Sequence, residues 1–189
     1  MKLLFFDLET TGTSPELNGI HQLSGAIVID GEVKETFDYR VCPRYDAKIE
    51  QGALDIAGVT KEQILSYPSM KEVYGNFLDI LSKYVNRYDK NDKFYLVGYN
   101  IVAFDNPFLR RWFLDNGDNF FGSWFWSNSI DVMVLATPYL AEQRSQMTNF
   151  KQSSVANALG ILVVDSKLHD ALYDIELCKA IYDKICIKY

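Results

Sequence analysis

The chain has 189 residues, of which 48% are hydrophobic and 23% charged, and its formal net charge is −6. This length and composition are typical of a single globular domain, residues 1–189, with a sizeable core. The acidic balance argues against broad binding to duplex nucleic acid, which needs many phosphate-neutralising cations, and favours at most a short footprint at a single-stranded end.

A short apolar run opens the chain. Residues 3–8 include two phenylalanines, and turn residues follow at 10–15, so the run predicts a buried strand. Asp7 and Glu9 are two positions apart and therefore project side by side from the C-terminal end of this strand. Taken alone, the pair is as typical of a solvated strand face as of a functional site.

The next elements have clear boundary signals. Residues 21–29 and 32–41 predict two strands, and the Asp-Gly pair at 30–31 between them is a strong hairpin signal. Capping boxes at residues 60–63 and 69–72 each predict the start of a helix.

The middle of the chain brings a third acid to a helix start. Residues 94–98 predict a strand, and residues 107–116 predict a helix with Asn106 as its N-cap and Gly117 just past its end. Asp105 therefore lies where a strand loop meets a helix N-terminus. For this residue alone, complementing the helix dipole, worth about 0.3–1 kcal/mol, is a sufficient role.

A fourth acid lies in the last helix, which follows a short strand near residues 130–134 and a helix ending at Gly160. Asp170 is the predicted N-cap of the last helix, and Asp174 lies one turn further in. His169 stands at the mouth of the same helix, where a histidine by itself is usually only solvated.

Together these elements predict an α/β fold. Three antiparallel strands followed by strands that alternate with helices give a mixed sheet flanked by helices. In such a sheet the acids collect at the central strands. Four carboxylates within about 5 Å would repel one another by on the order of 3 kcal/mol per pair at an effective dielectric near 20, so the cluster requires cations.

The acids predict a hydrolytic metal site. Oxygen-only ligands suit Mg²⁺ or Mn²⁺, and two such ions about 3.5–4 Å apart can clamp the attacking and leaving oxygens of a phosphodiester displacement. His169 would then take the proton from the attacking water as general base. This chemistry requires the three segments to meet in space.

These motifs resemble those of the DEDD superfamily of 3′-to-5′ exonucleases, in the proofreading-exonuclease-like branch that carries histidine in its last motif. Asp7 and Glu9 match the first motif, Asp105 the second, and His169 with Asp174 the third. Residues 53–62 resemble the family's helix and turn before its next helix. The resemblance implies a ribonuclease-H-like fold with a five-stranded mixed sheet flanked by helices, and metal-dependent removal of nucleotides from a 3′ end.

The resemblance also assigns site residues. It implies that Asp7, Glu9, Asp105 and Asp174 hold two divalent cations, Mg²⁺ or Mn²⁺. It further implies contacts to the terminal nucleotide, and the residues matched to this role are Leu8, Glu9, Thr10, Asn100 and Phe104.

Two positions depart from the commonest family pattern. Asn100 precedes Asp105 by five positions, a spacing similar to that of bacterial exonuclease I. Ala57 stands where many proofreading relatives carry a histidine that contacts a nucleotide.

We therefore expect a 3′-to-5′ exonuclease acting on single-stranded DNA ends, with a role in DNA repair or proofreading. The alternatives are a 3′-to-5′ exoribonuclease and a catalytically idle module of the same fold that binds nucleic acid or a polymerase. A DNA polymerase is a candidate partner, because proofreading relatives dock onto polymerases. The sequence does not predict an oligomeric state.

Three other regions bear on function. The aromatic segment 120–126 is more typical of core or of a partner surface than of a base-stacking platform. The polar stretch 143–152, with Arg144 and Lys151, is either a mobile loop that reaches a phosphate or an ordinary solvated loop. His21 matches no motif and is interpreted as structural.

The remaining signals concern the compartment. Three cysteines without paired spacing predict neither a disulfide framework nor a zinc site. The N-terminal apolar run is too short for a signal peptide or a membrane span. We therefore expect a cytoplasmic protein without a membrane segment.

Overall fold

The structure is a computed structural model that describes residues 1–168 and 170–186. Its strands are β1 (Lys2–Thr10), β2 (Ile20–Ile29), β3 (Glu32–Arg40), β4 (Tyr95–Gly98) and β5 (Ile130–Asp131). They form one five-stranded sheet with the order β3-β2-β1-β4-β5. β2 is antiparallel to β1 and to β3, whereas β4 is parallel to β1 and to β5. The mixed sheet predicted from the sequence is confirmed.

Helices cover both faces of this sheet. Those in the described part of the chain are α1 (Gln51–Ala57), α2 (Lys61–Leu65), α3 (Met70–Ser82), α4 (Asp105–Asp115), α5 (Val132–Tyr139), α6 (Gln152–Ala158) and α7 (Ala171–Cys186). Short 3₁₀ turns occur at Phe121–Ser123, Arg144–Gln146 and Asp165–Lys167. No helix in the described ranges is long and apolar enough to cross a membrane.

The alternation of side chains along β1 produces two cores. Leu4 and Phe6 point to one face and pack in a cluster with Phe77 of α3 and Phe113 of α4. Leu3 and Phe5 point to the other face and pack in a cluster with residues of α5, α6 and α7. Asp7 and Glu9 continue the second set, so β1 directs both acids to the face that α7 covers.

Local signals set several boundaries as predicted. The turn between β2 and β3 has positive φ at Asp30 (51°) and Gly31 (86°), which is the geometry of the predicted Asp-Gly hairpin turn. Thr60 and Gln63 make the reciprocal bonds of a capping box at the start of α2. Ser69 accepts the N–H of Glu72 at the start of α3, which is one of the two bonds of such a box.

Two element boundaries differ from the predictions. Asn106 is not an N-cap, because α4 begins at Asp105 and the Asn106 amide donates instead to Ser129 Oγ at 2.8 Å. The strand predicted over residues 130–134 ends at Asp131, since the Asp131 carboxylate accepts the N–H of Met133 and starts α5 there. Only the second of these boundaries is decided by a side chain at the end of a strand, that of Asp131.

The three cysteines form no disulfide with one another, as their spacing predicts. Cys42, Cys178 and Cys186 are all free thiols. Cys178 is buried on α7, and burial raises its pKa well above the usual value, so this thiol stays protonated.

Candidate active site

The C-terminal half of β1 supplies the first two acids. Asp7 lies opposite Ser24 and Glu9 opposite Gln22 in the antiparallel register with β2, and a bulge follows between Glu9 and Thr10. Asp7 and Glu9 are mostly covered but keep some contact with solvent, unlike the fully buried Leu3 and Phe5 earlier on the same face. The strand therefore carries its apolar residues into the core and presents the two acids at its end.

Asp105 reaches this site from the first turn of α4. Its carboxylate accepts the backbone N–H of Leu8 at 3.1 Å, and the residue is 4% exposed. Leu8 stands between Asp7 and Glu9, so this single bond ties the start of α4 to the acidic end of β1. The prediction that the first and second segments meet in space is thereby met by a direct contact.

A fifth acid, which the sequence analysis missed, holds the loop before α4. The Asp131 carboxylate accepts N–H groups from Asn100 at 3.0 Å, Val102 at 3.2 Å and Met133 at 3.0 Å. Asn100 adopts a positive φ of 61° at the turn out of β4. Asp131 thus fixes the backbone path that leads from β4 to Asp105.

Asp174 approaches from α7. It lines a small cavity together with Asp7, Tyr99 and Gln152, and its charge raises the pKa of Asp7. The Gln152 amide donates to the Asp174 backbone carbonyl at 2.6 Å and so links α6 to this turn of α7. The other three predicted acids, Glu9, Asp105 and Asp174, consequently lie within electrostatic range of Asp7.

The last motif contains one residue that lies outside the described residues, His169. Its predicted role as general base therefore stays a prediction. Its neighbour Asp170 accepts the N–H of Tyr173 at 3.1 Å, which is the N-cap role predicted for it at the start of α7.

Burial and mutual repulsion dominate the electrostatics of the acids. Burial raises the pKa of Asp7 well above its usual value, and repulsion from Asp105, Glu9 and Asp174 adds to this effect. Burial also raises the pKa of Asp105 to about 7, against the opposing effect of the N–H groups that donate to it. The ion pairs among the described residues include neither Asp7 nor Asp105.

The raised pKa of Asp105 predicts an unusual pH dependence for the metal-free protein. Between about pH 4 and pH 7 the folded state binds more protons than the unfolded state, so the free energy of unfolding falls as the pH rises through this window. Asp105→Asn removes this titration, and we expect the decrease between about pH 5 and pH 8 to shrink by about 2 kcal/mol.

Urea unfolding at both pH values in the presence of a chelator measures this effect. Glu176→Gln removes an exposed carboxylate from the surface of α7 and is the matched control, which should keep the wild-type pH dependence. If Asp105→Asn also keeps the wild-type pH dependence, burial of the ionised Asp105 carboxylate does not destabilise the folded protein.

The donor chemistry of the acidic cluster fits a hard divalent cation. The available groups are carboxylate oxygens, which Mg²⁺ and Mn²⁺ prefer, and bound positive charge would relieve the repulsion that raises the pKa of Asp7. Within residues 1–168 and 170–186, however, no three His, Cys, Asp or Glu side chains are placed to hold one metal ion together. In the described part of the chain the acids are thus neighbours that do not form a ready-made cage, and the Asp105 carboxylate already accepts the Leu8 N–H.

A larger pocket adjoins the acids on the side of α1. Its volume is about 400 Å³, and its lining includes Leu8, Glu9, Thr10 and Phe104 with parts of the 12–13 loop and of α1. The Thr10 hydroxyl donates to the Gly12 carbonyl at 2.7 Å and shapes this loop. Asn100 is not among the lining residues, so four of the five residues matched to nucleotide binding share this pocket.

The aromatic segment 120–126 is mainly core. Trp124 is 1% exposed and Phe125 is equally buried, which rules out base stacking on Trp124 in this structure. Arg87 lies over the Trp124 ring at 5.0 Å from its centroid and covers it from solvent.

Arg144 and His21 both contribute to the local structure around them. Arg144 lies over the Phe150 ring and donates to the Met147 carbonyl, so it stabilises its own loop. His21 is completely buried, and burial lowers its pKa to about 4, which keeps it neutral near pH 7. A neutral buried histidine agrees with the structural interpretation.

A match to one protein family covers nearly the whole chain. The RNase_T family model, described as Exonuclease, matches residues 4–182. The PolC-type DNA polymerase III of Mycoplasmopsis pulmonis is 27% identical over 169 residues, which is 89% of this chain and 10% of that protein. The corresponding polymerase of Thermotoga petrophila is 26% identical over 155 residues, with 82% and 10% coverage. The chain spans about a tenth of the length of the curated relatives it matches.

Solved structures share the fold. E. coli exonuclease I in complex with a dT13 oligonucleotide superposes with a TM-score of 0.75 at 22% identity, covering 97% of this chain and 41% of that chain. The complex of the same enzyme with a dA16 oligonucleotide gives 0.76 at 22% identity, covering 97% and 40%. At this level of identity the likeness concerns the fold, and the predicted ribonuclease-H-like architecture is confirmed.

Proposed function

Because this chain belongs to the RNase_T family of exonucleases, we propose that it removes nucleotides from the 3′ ends of single-stranded DNA by a two-metal mechanism. The chain is a member of the DEDD superfamily and a hydrolase of the 3′-to-5′ exonuclease type. Exonucleases of this family generally depend on divalent metal ions.

The position of Glu9 carries the proposal. Glu9 raises the pKa of Asp7 from within the acidic cluster, and it also lines the 400 Å³ pocket at the end of β1. A terminal nucleotide seated in this pocket would therefore have its 5′ phosphodiester beside the acids. The pocket would position the terminal nucleotide, and the acids would surround the phosphodiester bond that is cleaved. Removal of one terminal nucleotide requires both.

In the proposed mechanism, Asp7, Glu9, Asp105 and Asp174 would hold two divalent cations, which when bound would supply stabilisation of the negative charge that develops during phosphodiester hydrolysis. The Leu8 N–H orients the Asp105 carboxylate, and Asp131 fixes the loop before it. His169 takes the proton of the attacking water. Apolar groups from Leu8, Ile56 and Phe104 in the pocket lining bear against the terminal nucleoside.

Single-stranded DNA is the proposed substrate for two reasons. The superposed E. coli exonuclease I structures hold dT13 and dA16 oligonucleotides, and the curated relatives are DNA polymerases of the PolC type. A DNA polymerase as partner, and a role in proofreading or repair, stay predictions that the PolC-type relatives support.

A labelled-end assay tests this function. Single-stranded DNA and RNA of matched sequence, labelled at the 5′ end, are incubated with Mg²⁺, with Mn²⁺ or with a chelator. We expect a ladder of DNA products that shortens from the 3′ end and requires the metal. Asp174→Ala should abolish the ladder, whereas Glu176→Gln, an exposed position on the same helix, should preserve it.

Each alternative has its own outcome. Cleavage of RNA with little cleavage of DNA would replace the proposal by the exoribonuclease. Binding of either strand without metal-dependent cleavage would favour the catalytically idle module. Cleavage in Asp174→Ala at the wild-type rate would remove Asp174 from the site.

A further inference from the structure

An arginine lies in line with the acids on the same face of the sheet. Glu9 pairs with Gln22 across β1 and β2, and Gln22 pairs with Arg40 across β2 and β3. Residues directly opposite each other in antiparallel strands point to the same face. Glu9, Gln22 and Arg40 therefore form one cross-strand row on the side of the sheet that α7 covers.

The direction of the strands places Arg40 at the active-site end. β3 is antiparallel to β2, which is antiparallel to β1, so β1 and β3 run the same way. Arg40 is the last residue of β3, and Thr10 is the last residue of β1. Two strand spacings, about 10 Å, separate these strands, a distance that an arginine side chain can partly bridge.

Hydrogen bonds hold the Arg40 guanidinium. Arg40 Nη1 donates to Gln22 Oε1 at 2.7 Å. Gln22 is 6% exposed, and its Nε2 donates to Asp38 Oδ1 at 2.6 Å. The Ser24 hydroxyl also donates to Asp38 Oδ1, at 2.7 Å. The Gln22 amide therefore bonds Asp38 through its nitrogen and Arg40 through its oxygen. These two bonds hold one edge of the guanidinium in place.

The rest of the guanidinium is available. Arg40 is exposed, and no ion pair among residues 1–168 and 170–186 includes it. An anchored guanidinium with free donors is well suited to a phosphate, because it presents its N–H groups in a fixed fork. Next to a cluster of acids, such a cation also offsets the repulsion that an incoming polyanion would meet.

On the proposed function, we propose that Arg40 binds the sugar-phosphate backbone of the strand being degraded, at a phosphodiester on the 5′ side of the scissile bond. The terminal nucleotide occupies the pocket at the α1 side of Glu9, and Arg40 lies on the β3 side of the same residue. The contact is to phosphate, so it is independent of sequence. It positions the strand and leaves the chemistry to the acids.

Dependence on substrate length is the first test. Arg40→Ala should raise KM about tenfold for an oligothymidylate of about 12 nucleotides, with kcat little changed. The same variant should degrade a thymidine dinucleotide as the wild type does, because that substrate has only the scissile phosphodiester. Arg40→Lys retains the charge and should recover most of the loss.

Salt dependence of binding is the second test, and it does not require turnover. Anisotropy of a labelled oligothymidylate in chelator gives Kd at several salt concentrations. Arg40→Ala should reduce the slope of log K against log salt by about 0.7, the value for one phosphate contact to a single strand. Lys34→Ala removes a charge from the far end of β3, where Lys34 pairs with Glu32, and should leave the slope unchanged.

The two proposals fail in different ways. Suppose that the wild type degrades both substrates, and that Arg40→Ala either matches it or loses activity equally on both. Arg40 then does not bind the upstream backbone, and the proposed exonuclease function is unaffected. If the wild type binds the strand without cleaving it, the exonuclease fails, and the salt slope still decides the role of Arg40. An unchanged slope in Arg40→Ala would overturn that role.

Discussion

Asp7→Asn is expected to lower exonuclease turnover by about a thousandfold or more and, at the same time, to stabilise the metal-free protein at alkaline pH. The first effect follows because asparagine lacks the charge that a divalent cation requires. The second follows because burial and three neighbouring acids raise the pKa of Asp7 well above its usual value. The ionised carboxylate therefore costs stability that the neutral amide does not.

The two effects are measured separately. Turnover is followed on 5′-labelled single-stranded DNA with Mg²⁺, and the free energy of unfolding is obtained from urea titrations at about pH 8 with chelator. Saturating Mg²⁺ should stabilise the wild type by about 2–3 kcal/mol, as expected for a ligand at about 100 times its Kd, and should stabilise Asp7→Asn much less.

Two results would contradict this account. Loss of activity together with a lower unfolding free energy would mean that Asp7 supports the fold rather than a cation. Equal stabilisation of both proteins by Mg²⁺ would mean that the metal binds elsewhere. Glu176→Gln controls for removal of a carboxylate from the exposed side of α7 and should match the wild type in both measurements.

Features that rest on neighbouring residues were predictable from the sequence. The hairpin between β2 and β3 follows from Asp30 and Gly31, both of which adopt positive φ. The start of α2 follows from Thr60 and Gln63, three positions apart, which bond each other's backbone. Each signal involves a few consecutive residues, so tertiary packing had little opportunity to override it.

The boundary at α4 was wrong because a long-range contact decides it. The sequence favours Asn106 as N-cap before Pro107, and Asp105 then lies outside the helix. In the fold, the Asp105 carboxylate accepts the N–H of Leu8, 97 positions earlier, and α4 starts at Asp105 itself. No pattern of adjacent residues reveals that contact, although the family resemblance had already associated Asp105 with Asp7.

The strand at Asp131 was predicted correctly, but the role of the Asp131 side chain was not. The apolar residues around 130–134 indicate a strand, and one does form, but it stops at Asp131. An acid between an apolar strand and a helix is a local N-cap signal, and the Met133 N–H bond is that cap. The bonds to Asn100 and Val102 depend on the pairing of β4 with β5, which the sequence does not specify.

The row from Glu9 to Arg40 depends entirely on the register in which β1, β2 and β3 pair. Nothing in the sequence aligns residue 9 with residue 22 or residue 22 with residue 40. A register shift at Glu9/Thr10 in the β1–β2 pairing and another at Ile27/Val28 in the β2–β3 pairing both change the alignment. A shift of one residue would turn Arg40 to the opposite face of the sheet. Site residues supplied by strand pairing are therefore the ones that sequence motifs miss.

His169→Ala is expected to lower kcat by about a hundredfold to ten-thousandfold while leaving the affinity for 3′ ends within a few fold of the wild type. This expectation rests on the sequence motif, since a histidine with a pKa near 6.5 can accept the proton of the attacking water near neutral pH. The wild-type rate should fall as the pH drops below neutral, because the imidazole becomes protonated. At saturating Mg²⁺, which keeps the metal-binding carboxylates ionised, this dependence should be absent in the variant.

Chemical rescue distinguishes a proton acceptor from a structural residue at this position. Exogenous imidazole should restore part of the turnover of His169→Ala in proportion to the fraction of free base, and it should not affect Asp7→Asn. Asp170→Asn removes the adjacent charge but keeps an oxygen that can cap α7 through the Tyr173 N–H, so it should retain the wild-type pH profile. If His169→Ala keeps the acidic limb of that profile, another group accepts the proton, and the assignment of His169 as general base is wrong.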